Sequence, residues 1–430
     1  MSEITYDGRR NLIDLSHLCY SQGNIGRLQT AFWHPVLPGD GYELDWVGRL
    51  TLSPLRRGLV VDSKVDIATF YHPYRNVYGD DWVNFIEQGV DESVTLSTET
   101  ANPGLNSCAS LGINGNEGGE VMPKWIPQTY RDIWNNYFRP PQSTAEWTTT
   151  HGSWSDDELI HGRKVAHLKR LWNATADNNL TTADTEVSTA GDTLDLYDLA
   201  EQKAILMTEQ EREFFNVRYR DIMRNRGGST PYESDLRPRL IMRSSFWASG
   251  YDIDGTGQES LGQFSGRVAQ SFNHRVPRTM IGEHGVMWTV ITVRFPPIHE
   301  DEQHFLFKKS QPTYKEIAAD PILVEEERPY AATVNEFFNT TDTFGLGLMP
   351  YAQWYREHPH AVHPVYKELQ GFPFLVQVPT NEDNQRFVSD SNYDDVFQTI
   401  QLGHWQVQSR ANVGVMRRLP SAREAIMYGG

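Results

Sequence analysis

Carboxylates at alternate positions followed by glycine are the start of a calcium loop, because a hard cation collects several oxygens from one tight turn. Asp252-Ile-Asp254-Gly255-Thr256-Gly257-Gln258-Glu259 is the stretch of this chain nearest to that pattern. A full loop needs a third oxygen ligand before its glycine and a bidentate Glu at its end. Here a first glycine, Gly255, comes two residues before the sixth position that the loop reserves for one, and Gln263 stands where that Glu belongs. Asp252 and Asp254 are therefore candidate calcium ligands, set against the plainer reading of an Asp/Gly turn between strands. His299 and His304 are five apart, one residue too many for two zinc ligands on one helical face. His358, His360 and His363 are interrupted by Pro359 and Pro364, which suits an irregular loop. Arg56-Arg57 and Arg417-Arg418 are adjacent basic pairs near strand-like text, each suited to a phosphate, a partner carboxylate or an ordinary ion pair.

Nucleophilic and phosphate motifs are missing from the sequence. There is no Gly-x-Ser-x-Gly, no Gly-x-x-x-x-Gly-Lys and no Cys-x-x-Cys. In Gly262-Gln-Phe-Ser-Gly266 the central position of an elbow is taken by Phe264. The two cysteines, Cys19 and Cys108, read as buried thiols of a reducing compartment. No catalytic residue is nominated, and the chain is not expected to be an enzyme.

The elements that would position these residues fall into three strand-like blocks, at about 27–71, 239–295 and 399–419. In the first, Tyr42, Leu44, Trp46, Leu50 and Leu52 alternate with Glu43, Asp45, Arg49 and Thr51, the period of a strand with one face buried. The second ends in a continuous apolar, β-branched run over 285–295, stopped by Pro296-Pro297, as a buried strand would be. In the third, Trp405, Val407, Ala411, Val413 and Val415 alternate with Gln406, Gln408, Arg410 and Asn412. The long stretches between the blocks, about 72–238 and 296–398, mix helical and irregular text. A helix is expected over 128–138, ended by Pro140-Pro141, and another after the capping box Thr208-Glu-Gln-Glu211. The segment 173–191 reads as an exposed loop. Strand blocks this far apart imply a Greek-key sheet with two insertions hanging from it.

The chain has 430 residues, 39 Lys+Arg and 56 Asp+Glu, hence a net charge of −17. That excludes a broad basic face for gripping nucleic acid, and adsorption to an anionic membrane. No basic start precedes an apolar run, and no apolar run nears the roughly 18 residues of a span, so neither leader nor membrane segment is expected. Aromatic residues reach 12% against 39% hydrophobic overall, a balance that suggests extended surfaces and interfaces as much as a compact core.

Distributed motifs carry a specific resemblance. Asp14-Leu-Ser-His-Leu18, Leu52-Ser-Pro-Leu-Arg-Arg-Gly-Leu59, Asn135-Asn-Tyr-Phe138 and Arg218-Tyr-Arg-Asp221 occur in order. The densest stretch is Trp247-Ala-Ser-Gly-Tyr-Asp252 with Ser260-Leu-Gly-Gln-Phe-Ser-Gly-Arg-Val268 and Glu283-His-Gly285. Arg294-Phe-Pro-Pro297, Gln353-Trp-Tyr-Arg356, Gly371-Phe-Pro-Phe374 and Leu419-Pro420 complete the series. Together they resemble the major capsid proteins F of the small icosahedral single-stranded DNA bacteriophages, the microviruses of the phiX type. Departures concentrate at about 91–122, 140–160, 173–193 and parts of 299–345.

The resemblance implies a mainly β fold, a viral eight-stranded antiparallel jelly roll with two long, partly helical insertions, forming a single capsid domain over 1–430. It implies self-association through pentamers into a sixty-copy T=1 shell, in the host cytoplasm, around circular single-stranded DNA. The implied companions are a spike protein, internal and external scaffolding proteins, a pilot protein, a small basic DNA-binding protein and host lipopolysaccharide sugar. A jelly-roll carbohydrate-binding protein or carbohydrate-active enzyme is the alternative. Sixty copies would carry roughly a thousand negative charges. Such a shell cannot hold a polyanion by bulk charge and needs a basic go-between, or local patches and rings.

Overall fold

The computed structural model describes residues 10–55, 62–88, 95–101, 108–113, 121–139, 146–166, 237–254, 264–296, 298–299, 302–308, 311–318, 330–341, 345–349, 351–356, 358–359, 375–376, 393–394, 396–397, 400 and 403–417. The strands of the amino-terminal part are β1 (Asn11–Asp14), β2 (His17–Gly23), β3 (Gln29–Val36), β4 (Gly41–Leu52) and β5 (Ser63–Pro73). Two short strands follow, β6 (Thr98–Thr100) and β7 (Val121–Pro123). The middle of the chain supplies β8 (Arg239–Ala248), β9 (Gly250–Asp254), β10 (Phe264–Met280) and β11 (Gly285–Arg294). Four short strands, β12 (Ile298–His299), β13 (Tyr330–Thr333), β14 (Gly345–Met349) and β15 (Leu375–Val376), precede the last long strand, β16 (Trp405–Arg417).

The long strands form two antiparallel sheets. One runs β1-β16-β4-β10-β9, with β2 also paired to β16; the other runs β3-β11-β5-β8. Strand β16 therefore sits between the N-terminal strands and β4, closing the ends of the chain onto one another. The sheets pack face to face around one core. From the first come Tyr42, Leu44, Trp46, Phe272, Val407 and Val413; from the second come Phe32, Val65, Ile67, Met287, Ile291 and Val293. Phe32 meets Trp46 edge-on at 5.2 Å, and Phe246 stacks on Phe272 at 5.8 Å. These alternating residues are the ones whose period-2 spacing marks the strands in the sequence.

One polar chain crosses this core. His274 hydrogen-bonds Thr69 at 2.9 Å and Ser244 at 2.8 Å, and Thr69 in turn meets Thr289 at 2.9 Å. Satisfied in this way, a polar residue between two sheets fixes their relative placement, because any slip leaves buried groups unpaired. Burial pushes the His274 imidazole down to about 4.

The outward side of β3, β11 and β5 in the second sheet is covered by the chain's own next segment. Helices α1 (Tyr74–Tyr78), α2 (Asp80–Gln88), α3 (Trp125–Ile133) and α4 (Asp156–His161) lie between β5 and β8 in sequence. Ile126, Tyr130, Ile133, Trp134, Trp147 and Trp154 join Ala68, Phe70, Val286, Trp288 and Val290 in a second core. Strand β11 is consequently buried at all ten positions, as its unbroken apolar run requires. Tyr130 donates to the Leu28 carbonyl at 2.7 Å, pinning α3 to the start of β3. Gly162, at φ +75°, ends α4 where any Cβ would lie 2.1 Å from the Leu28 oxygen. Helix α4 begins with a capping box in which Ser155 and Glu158 satisfy each other's backbone N–H.

The expected helix over 128–138 is present as α3 followed by a π-helical turn, Trp134–Phe138. Strands β1 and β2 precede the first expected block, and β16 begins six residues later than the third. The capping box at Thr208 and the segment 173–191 lie outside the described residues.

Candidate functional site

Asp252 and Asp254 occupy strand β9, where Asp252 pairs with Gly266 and Asp254 with Phe264 of β10. Two positions apart on a strand, they share one face of the ladder about 6–7 Å apart, rather than wrapping a turn. Residues 255–263, and the side chains of both aspartates, lie outside the described residues. Among the described residues no three His, Cys, Asp or Glu side chains gather as a metal group. His304 hydrogen-bonds the Trp354 carbonyl at 3.0 Å, and its ring lies 5.7 Å from that of His358. His360 and His363 are outside the described residues. Cys19 and Cys108 are both buried and unbridged, and burial pushes the Cys19 thiol up.

Arg417 is held inside the chain. Its guanidinium donates to Asp40 at 2.7, 3.0 and 3.2 Å and to the Pro35 carbonyl at 3.0 Å. Asp40 also accepts from the Leu37 amide at 2.8 Å. The end of β16 is thereby clamped to the turn between β3 and β4, and Arg417 is committed to structure. Arg56, Arg57 and Arg418 are outside the described residues.

A second buried ion cluster ties β5, β8 and β11 together. The Asp66 carboxylate accepts from Arg294 and Ser245, with Arg243 at 3.2 Å. Burial alone would raise its pKa, but the Ser245 hydrogen bond and the two guanidinium groups outweigh that and lower it. In the covering segment, Arg131 forks onto Glu99, donates to the Thr149 carbonyl at 2.8 Å and to Gln128 at 2.6 Å. Asp132 beside it is pushed up to about 6 by burial, and His72, 3.5 Å away, down to about 3. Both shifts favour neutral forms, so this contact is not a strong ion pair.

The two outward faces of the sandwich differ. That of β3-β11-β5-β8 is covered by the second core over β3, β11 and β5, while β8 at its edge keeps Arg243, Ser245 and Trp247 exposed. That of β2-β16-β4-β10 carries exposed Tyr20, Leu18, Gln408, Arg410, Arg49 and Asn273. The register brings them into rows: Tyr20 opposes Gln408, which opposes Arg49; Leu18 opposes Arg410, which opposes Val47. Arg49 in turn opposes Ser271, and Val47 opposes Asn273. Sequence reasoning read these alternate positions as the solvent side of strands and nominated none. The signal was present in the polar half of each alternation, but only the register shows that the residues share one surface.

A mainly antiparallel β sandwich is an architecture that viral shell subunits share with lectins. The family described as Capsid protein (F protein) matches residues 2–193 and 178–427 of the chain. Capsid protein F of Escherichia phage G4 is 45% identical over 428 residues, covering 99% of this chain and 100% of that protein. Capsid protein F of Escherichia phage alpha3 and that of Enterobacteria phage phiK are each 42% identical over 432 residues, with the same coverage. The chain belongs to this family of phage capsid proteins and is a structural component of the virion. The carbohydrate-binding alternative draws no support from these relatives.

Proposed function

We propose that copies of this chain associate through pentamers into a sixty-copy T=1 icosahedral shell around circular single-stranded DNA. The observation that carries the reading is near-complete, end-to-end similarity to phage capsid proteins, at 42–45% identity. The strand order adds support. With β2-β16-β4-β10 facing β3-β11-β5-β8, the chain alternates between the two layers from β2 to β5, passes to β8 beside β5 in the same layer, and alternates again through β10, β11 and β16, the arrangement of a jelly roll built from two Greek keys. The segments 74–238 and 295–404 then act as insertions that supply the several distinct contact faces an icosahedral subunit needs. Spike, scaffolding, pilot and small basic DNA-binding proteins are the companions of this role, assembly takes place in the host cytoplasm, and host lipopolysaccharide sugar is the surface it meets. Among the described residues no helix is long and apolar enough to cross a membrane.

Sedimentation of the expressed chain with its scaffolding partners tests the proposal. Pentamers and shells are expected; a chain that stays monomeric under those conditions contradicts it. Calcium at Asp252 and Asp254 has its own test. A change in particle melting on chelation supports that site, and no change removes it.

A further inference from the structure

We propose that the uncovered face of β2-β16-β4-β10 is a platform for single-stranded DNA, and so faces the interior of the shell. This deepens the capsid reading and rests on it. The inference starts from charge. The chain is strongly acidic, at −17. Yet the rows Tyr20–Gln408–Arg49–Ser271 and Leu18–Arg410–Val47–Asn273 hold two guanidinium groups and no carboxylate. Gln22, Gln406 and Thr51 extend the strip on one side, again without an acid. The acids of this face, Asp14, Glu43 and Asp45, lie toward the other end of the strands, where the Asp14 carboxyl is held low by Ser16 first and then by the charge of Arg410, Glu43 is paired with Arg278 at 2.9 Å and Asp45 is flanked in register by Asn412 and Arg275.

The chemistry of the strip matches a nucleic acid strand rather than a protein. Tyr20 is 72% exposed and Leu18 65%, so a large ring and an apolar neighbour stand ready for a base. The guanidinium groups of Arg410 on the adjacent strand and of Arg49 two strands away can meet phosphates, while Gln408 and Asn273 offer both donors and acceptors to base edges. A flat sheet face with one or more exposed rings is a known solution for stacking two or three unpaired bases. A second copy of the chain would call for an apolar centre. Here the centre is amide and guanidinium around a half-buried Val47, and the exposed apolar residues of the strip stand at the β2 margin. A basic peptide would be repelled by Arg49 and Arg410. The other sheet offers no equal strip: β3, β11 and β5 carry their outward residues into the second core, and on β8 the exposed Trp247 has Lys64 over its ring at 5.9 Å while Arg243 pairs with Asp66 at 3.2 Å.

The experiment uses the full-length chain and an oligothymidylate probe, with binding followed by fluorescence anisotropy across a salt series. Relative to wild type, the triple variant Tyr20→Ala, Arg49→Gln, Arg410→Gln is expected to bind on the order of tenfold more weakly or worse. Its log–log salt slope is expected to fall by about 1.4, for two lost phosphate contacts. Ultraviolet crosslinking of DNA-filled particles is expected to place adducts on Tyr20 or on the 405–417 peptide. An unchanged affinity and slope in the folded variant would overturn the proposal. So would crosslinks that all map elsewhere, or loss of shell assembly with oligonucleotide binding intact, which would make the face a subunit interface. Binding by the unassembled chain keeps this result separate from whether wild-type copies close into shells.

Discussion

The two outward faces of this sandwich begin from the same strand geometry and end with opposite chemistry. On β11 the off-core positions are Val286, Trp288 and Val290, all buried under the helical segment that follows β5. On β16 the equivalent positions are Gln406, Gln408, Arg410 and Asn412, none of them buried. A strand covered on both sides can be apolar throughout, whereas a strand with one bare side must alternate. The difference teaches where the chain has already spent its surface on itself and where it keeps surface for something else. In a capsid subunit that something is a neighbouring copy, a companion protein or the genome.

Breaking the covered face should have the largest effect. Trp288 stacks on Trp33 at 6.0 Å and donates to Thr30 at 3.1 Å. Trp288→Ala is expected to cost about 3–5 kcal/mol in denaturant unfolding of the chain. A loss under 1 kcal/mol would mean that the covering segment is not packed as described. Arg417→Gln comes next. It strands the buried Asp40 carboxylate and should cost about 3 kcal/mol, the usual penalty for breaking one side of a buried pair.

Acid is the next lever. His34 and His72 are held down to about 3 and His274 to about 4, in each case by burial first. All three are neutral in the folded chain and lie below the free value of 6.5. Their contribution is therefore fully present above about pH 6.5 and is lost as pH falls toward 4 and then 3. Asp132 works in the opposite sense. Its folded value near 6 adds stability at low pH that is lost as pH rises through 6. The three histidines outnumber it, so melting temperature should drop on acidification from pH 6.5 to 4. His274→Asn should flatten part of that slope, and an unchanged slope would show that His274 is not buried neutral.

The smallest stability effect should come from the bare face. Arg49→Gln and Arg410→Gln are expected to shift unfolding by no more than about 0.5 kcal/mol, as exposed substitutions do. A much larger loss would show that these side chains are structural.

Much of this comparison was legible in the residues. The run over 285–295 announced a buried strand, and the alternation over 405–415 announced a strand with one face inward; that β11 is buried on both sides needed the covering segment to be placed. Other parts were hidden for physical reasons. Strands β1 and β2 are short, and what stabilises them is β16, some four hundred residues away, so local pattern carries little of their signal. The second core is built from Trp125, Trp134, Trp147 and Trp154 on short helices and loops with no sustained period. Arg417 looked like a contact residue because its partner, Asp40, is distant in sequence and can be found only by folding. The bare face needs the register of four strands before its residues become one surface.

The most direct test is a cryo-electron microscopy reconstruction of DNA-filled particles. A T=1 shell of sixty subunits, with the β2-β16-β4-β10 face turned inward and density for nucleic acid beside Tyr20, is the expected result. A particle in which that face points to the outside solvent, or a chain that forms no closed shell, would contradict the account.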